Sequence, residues 1–163
     1  PNQPDDEKAF WEVGKVTYRN GIDYVADNTS KNSSAVAKYV TKEVTLETPA
    51  TALDVRLSAN VFNNSDIKVL YKIKPDGNTG EFNSLKWQYF NTTGYSDNYT
   101  DVVPVSSKTL SSSVEDLNSY LEYKYTASNL PSFKSFAIKI VLLSSDGTYV
   151  PKVDDLRAIA LQV

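Results

Sequence analysis

The sequence predicts an all-β protein, an antiparallel two-sheet sandwich of jelly-roll type with seven or eight strands. Three observations carry this. Apolar and polar residues alternate with a period of two over several segments, and turn-forming residues separate those segments. No stretch shows the 3.6-residue period of a long helix.

The segments follow in chain order. Residues 40–47 alternate Val40, Val44 and Leu46 with Thr41, Glu43, Thr45 and Glu47. After Thr48-Pro49-Ala50-Thr51, a second strand interleaves Leu53, Val55, Leu57, Ala59 and Val61 with Asp54, Arg56, Ser58 and Asn60. Asn63-Asn64-Ser65-Asp66 ends it, because Asn and Asp side chains satisfy turn backbone locally. In the third strand Ile67, Val69, Tyr71 and Ile73 face the core, and Lys68, Lys72 and Lys74 are expected to face out.

A loop around Pro75-Asp76-Gly77 leads to a fourth strand over residues 85–90, where Leu85, Trp87 and Tyr89 alternate with Lys86, Gln88 and Phe90. Residues 91–113 are irregular, and Ser113 is placed to cap a short helical turn over 114–119. Leu121, Tyr123 and Tyr125 resume the alternation. Ile140-Val141-Leu142-Leu143 is apolar on both parities, as expected of a strand covered on both faces. Residues 156–163 read the same way, as a central strand.

Residues 1–36 are expected to form an N-terminal arm and linker, with one strand over 11–19, and residues 37–163 the sandwich domain. The first residue is Pro1 and methionine is absent throughout, so the chain reads as a piece of a longer protein rather than a processed one. No secretory signal or bilayer-length apolar run is present.

Composition narrows the chemistry. Cysteine is absent, so disulfides and thiolate metal sites are excluded. Histidine is absent too, which removes the commonest general acid/base and metal ligand. The reading is therefore a protein that is not an enzyme and has no cofactor, metal or catalytic residues. A net charge of -3 with scattered Lys and Arg offers no stripe for a phosphate backbone, so no nucleic acid is expected.

Individual constellations read structurally. Asp154-Asp155 would point to opposite faces of a strand, with Arg157 as an ion-pair partner. Asp76, Asn78 and Glu81 miss the spacing of an EF-hand loop. Asn-x-Ser/Thr triplets at Asn28, Asn32, Asn63, Asn91 and Asn98 follow from composition. Trp87, Tyr89, Tyr95 and Tyr99 are the candidate ligand-binding residues, because exposed aromatic faces stack on sugar rings. Trp87 shares parity with Leu85 and Tyr89, which favours core over platform.

Two regions carry a family resemblance. The first runs through Tyr39-Val40-Thr41-Lys42-Glu43-Val44, Leu53-Asp54-Val55-Arg56-Leu57 and Lys68-Val69-Leu70-Tyr71-Lys72-Ile73. The second contains Tyr123-Lys124-Tyr125-Thr126, Leu130-Pro131-Ser132-Phe133-Lys134-Ser135-Phe136 and Val150-Pro151-Lys152-Val153-Asp154-Asp155-Leu156-Arg157. Together, over residues 39–161, they resemble a recurring region in structural proteins of contractile-tailed marine phages, notably cyanophages.

The resemblance implies a virion component of the tail, baseplate or fibre, assembled in the host cytoplasm against other virion structural proteins or as a homo-oligomer. It brings no catalytic residues with it. The competing expectation is a carbohydrate-binding sandwich whose partner is a host-surface glycan.

Overall fold

A computed structural model describes residues 11–12, 15–16, 26–30, 33, 35, 37–61, 65–91, 94–96, 120–144 and 150–163, with residues 11–12, 15–16, 91 and 94–96 described by their backbone alone. The short strands β1 (Trp11–Glu12) and β2 (Lys15–Val16) pair as a hairpin. This replaces the single strand expected over 11–19. The remaining nine strands form two antiparallel sheets, as the alternation predicts.

The larger sheet contains β3 (Ala37–Val40), β4 (Val44–Ala50), β6 (Ser65–Pro75), β7 (Gln88–Asn91), β8 (Gly94–Ser96) and β10 (Phe133–Ser144). Its order is β3-β10-β6-β7-β8, with β4 also on β10. The smaller sheet is β11 (Lys152–Leu161), β5 (Ala52–Asn60) and β9 (Leu121–Ala127), in the order β11-β5-β9.

One expected strand, over residues 40–47, is two. Both halves pair with β10, and the chain breaks between them at Thr41. Thr41 bridges the break: its backbone N–H donates to the Ile138 carbonyl, and its hydroxyl accepts from the Ile138 N–H, both at 2.9 Å. The fourth strand starts later than expected. Residues Phe82–Ser84 form a 3-10 turn closed by the Leu85 N–H on the Phe82 carbonyl, and β7 begins at Gln88. The helical turn expected over 114–119 lies outside the described residues.

The core lies between the sheets. Leu53, Val55, Leu57 and Ala59 of β5 meet Ile67, Val69, Tyr71 and Ile73 of β6 and Phe136, Ile138 and Ile140 of β10. Tyr71, Phe90 and Tyr125 stack in sequence, with ring centroids 4.7 and 5.9 Å apart, and set β9 opposite β7. Turn chemistry fixes the ends. Gly77 has φ 80° in a turn closed by Asn78 N–H on the Pro75 carbonyl, the type II geometry that requires a residue free to adopt positive φ.

The both-parity apolar run is explained by β10 lying between β6 and the β3/β4 pair, with a second apolar cluster behind it. That cluster contains Ala35, Leu70, Trp87, Tyr89, Ala137, Val141 and Leu143. The expectation that Lys68 and Lys72 face solvent is corrected: they are only 2% and 3% exposed, because residues 27, 33 and 35 and Trp87 cover the outer face of the large sheet.

The second correction concerns β11, which is an edge strand and not a central one. Among the described residues it pairs with β5 alone, and its register shifts between Val153 and Asp155. Val153 and Leu156 line a cleft, Ala160 packs on the core, and Ile159 and Leu161 are exposed.

Candidate functional site: a buried lysine cluster and an open cleft

Of the four aromatic candidates, Trp87 is 6% exposed and Tyr89 1%. Tyr95 lies in β8 with its side chain outside the described residues, as is Tyr99 altogether. The Trp87 ring is already occupied: the Lys72 ammonium sits 4.6 Å from its centroid and the Lys139 ammonium 5.8 Å. Stacking a sugar on Trp87 or Tyr89 would first require the covering layer to open.

Around Trp87 the outer face of the large sheet holds three buried lysines, Lys68, Lys72 and Lys139. Alternation aims them at this face, since each is offset by one from the core residues of β6 and β10. Asp27 and Ser33 supply partners for Lys68 and Lys139, and the Phe82 and Trp87 rings face Lys72. Lys139 Nζ donates to the Asp27 backbone carbonyl at 2.6 Å and to Ser33 Oγ at 3.2 Å. Lys38 Nζ donates to the same Ser33 hydroxyl at 3.2 Å and to its carbonyl at 2.9 Å. The Asp27 carboxylate, fully buried, lies 3.9 Å from Lys68 Nζ. The Trp87 N–H on the Asn28 carbonyl, 2.8 Å, ties this layer to the start of β7.

Burial lowers the pKa of all three lysines, because the charged form loses its water. Lys139 is brought down to about 8 by burial, opposed by the Asp27 carboxylate and reinforced by Lys38 and Lys72. Asp66, beside Lys68, is raised by burial against the pull of the Ile67 N–H and Lys68. Such shifts accompany reactive groups, but these lysines are buried and their ammonium groups meet the Asp27 carboxylate, the Ser33 hydroxyl, a backbone carbonyl and the Trp87 ring. The cluster holds the outer layer to the sheet.

The charged residues of the small sheet form a solvated ladder. Arg157 reaches Glu122 at 2.8 Å and Asp155 at 2.9 Å, Arg56 reaches Glu122 at 3.4 Å, and Lys124 reaches Asp54 at 3.2 Å. Arg157 therefore pairs with a carboxylate as the sequence suggested. Exposed pairs add little, so Arg157→Ala is expected to change the unfolding free energy by about 1 kcal/mol or less, read by urea denaturation.

Asp76 and Asn78 stay in an exposed hairpin loop, where Ser132 Oγ donates to Asp76 and Asn78 Oδ1 accepts from the Gly80 N–H at 2.8 Å. Among the described residues no group of three or more acidic side chains is gathered as for a metal ion.

The other feature is a cleft of about 360 Å³ lined by Tyr39, Ile140, Leu142, Val153, Asp154 and Leu156. It exists because the sheets differ in width. With β9 opposite β7 and β5 opposite β6, β11 falls beneath β10, so that Tyr39 and Val44 lie at the border of the small sheet while Leu46 and Ala50, further along β4, still pack against the core. Tyr39 and Val44 pair with Ile140 and Phe136, which face the core, and so share that face. Yet Tyr39 is 57% and Val44 41% exposed.

On β11 the inward-facing Ala158, paired with fully buried Val55, is likewise exposed. Sequence alternation marks Val44 as a core position, while Tyr39 has the parity of Thr41 and Glu43 and joins this face only because the strand breaks at residues 41–43. What it does not carry is the width of the opposing sheet.

Comparison of the chain with protein-family models, curated proteins and solved structures finds no match.

Proposed function

We propose that the protein is a non-enzymatic structural module that works by protein-protein assembly, as a tail, baseplate or fibre component of a phage virion. The observation that carries the assembly part is the open side of the sandwich. Tyr39 of β3 and Val44 of β4 stand exposed on the core-side face of the large sheet, Tyr39 beside a largely apolar cleft that it lines with Ile140, Leu142, Val153, Asp154 and Leu156, and apolar surface of this kind is characteristic of interaction sites. The lack of histidine and cysteine supports a role without catalysis. The resemblance of residues 39–161 to tailed-phage structural proteins supports the virion setting.

Immunogold labelling of purified tailed particles, from a culture that produces the chain, tests this reading. Label at a fixed position on the tail, baseplate or fibre is the expected result. Particles free of the chain, with the protein left in the soluble fraction, would overturn it.

A further inference from the structure

We propose that Asp27 and Lys68 condense to an intramolecular amide, a covalent cross-link that ties the covering layer of the large sheet to β6. The bond does not depend on the virion reading, because both reactants belong to this chain.

Burial singles out the pair. The Asp27 side chain is 0% and the Lys68 side chain 3% exposed, with Lys68 Nζ 3.9 Å from Asp27 Oδ2. Among the described residues neither Asp27 carboxylate oxygen accepts a hydrogen bond. An ionised carboxylate in that position is costly in a dry interior, and so is the ammonium beside it. A neutral amide removes both charges at once. The exposed pairs of Arg157 with Glu122 and Asp155 keep their hydration and have no such drive.

Position supplies the second argument. The Asp27 backbone carbonyl accepts from Lys139 Nζ of β10 at 2.6 Å, and the Asn28 carbonyl accepts from the Trp87 N–H at 2.8 Å. Thr29 closes a turn around Asp27, its N–H and hydroxyl both donating to the Ala26 carbonyl at 3.2 and 2.8 Å. Lys68 is fixed from the other side, on a strand where it pairs with Val141 of β10. Well-oriented intramolecular reactants reach effective molarities on the order of 10⁵–10⁸ M, which favours the amide over its hydrolysis where water is excluded. Attack needs the amine and the carboxyl carbon about 3–3.5 Å apart. No hydrogen bond on either Asp27 oxygen resists the side-chain rotation that closes the gap. The other lysine near Asp27, Lys139, has its Nζ on the Asp27 carbonyl and the Ser33 hydroxyl.

The reaction balances within the pair. The ammonium passes a proton to the carboxylate, the neutral amine attacks the Asp27 carboxyl carbon, the nitrogen gives a second proton to the departing hydroxyl, and the C–O bond breaks to release one water. Burial already favours the neutral amine of Lys68, against the fields of Asp27 and Asp66. At 3.9 Å the pair is unreacted, and in that form Asp27 remains a counter-charge to Lys68 and Lys139. Once formed, the bond closes a covalent loop over β3, β4 and β5, so tension on the chain before Asp27 passes directly to β6.

Intact-mass spectrometry of the purified chain, freshly refolded and again after days at neutral pH, tests this. The expected result is a progressive loss of the mass of one water in the folded protein, and none in protein held unfolded in guanidinium chloride. Trypsin should then release one branched peptide joining residues 20–31 to residues 57–72, because an acylated Lys68 is no longer cleaved. Lys68→Arg keeps the charge without the amine, Lys68→Met keeps the length without the charge, and both should retain the full mass.

A mass that stays unchanged in the folded, unsubstituted chain would overturn the inference whatever the variants do. So would a loss of water confined to residues 20–31, which is cyclisation of an Asp on its own backbone, or a branch from Asp27 to Lys139 in place of Lys68.

Discussion

Replacing Trp87 with alanine is expected to lower the unfolding free energy by about 3–5 kcal/mol, the range for removing a large buried aromatic. Two losses add. The indole leaves a void in the second apolar cluster, among Leu70, Tyr89, Ala137 and Val141. The Lys72 ammonium, 4.6 Å from the ring centroid and itself 3% exposed, also loses the aromatic face that offsets part of its desolvation. Trp87→Phe should recover most of the packing and a weaker cation-π contact, and so fall between.

Urea unfolding followed by circular dichroism reads the series. A midpoint for Trp87→Ala equal to that of the unmodified protein would mean that the ring does not support the outer layer. The same experiment bears on glycan binding, because a Trp87→Ala protein that failed to bind sugar could simply have lost this layer.

How much of this was legible in the sequence can be seen strand by strand. Leu53 to Ala59 alternates without interruption and Ile67 to Ile73 with the single exception of Leu70, and those segments lie in β5 and β6 with the indicated faces in the main core; Leu70 belongs to the cluster on the other face. The apolar run at 140–143 correctly marked a strand covered on both sides. The same reasoning applied to residues 156–163 placed that strand in the middle of a sheet, whereas among the described residues β11 is an edge. Both environments keep apolar residues, one for a covering layer and one for a cleft, and residue type alone does not separate them.

The lysines of β6 escaped for a different reason. Lys68 and Lys72 read as the wet face because their cover comes from Asp27, Ser33, Ala35 and Trp87, none of them adjacent in the chain to β6. Asp27, the counter-charge of that layer, sits in a run of small polar residues where nothing local distinguishes it from a loop carboxylate. Pairings this far apart in sequence leave no periodic trace.

Asp27→Asn tests that layer most directly, with an expected loss of about 3–5 kcal/mol near neutral pH, the range for removing one partner from a buried charge pair. The carboxylate is fully buried, and it favours the charged forms of both Lys68 and Lys139. Asp66 offsets part of the charge on Lys68, and Lys38 and Lys72 oppose the charge on Lys139, so Asp27 is the carboxylate acting on both.

The pH dependence separates a counter-charge from a packing role. In the unmodified protein Lys139 gives up its proton at about 8, below its ordinary value of 10.5. Between those values the unfolded chain binds more protons, so stability rises with pH. Tyrosines reverse the slope further up. Tyr123 is pushed up to about 12 by burial and by Asp66, and Tyr125 higher still, so above pH 10 the unfolded chain releases protons that the folded one retains.

Without the Asp27 carboxylate the folded-state pKa of Lys139 drops further, and the relief begins at lower pH. The deficit of Asp27→Asn against the unmodified protein should therefore be largest near pH 6 and shrink by pH 9, as measured by urea unfolding at fixed ionic strength. A deficit constant across that range would show that Asp27 contributes shape and hydrogen bonding to the layer, and that its charge does not hold the lysines there.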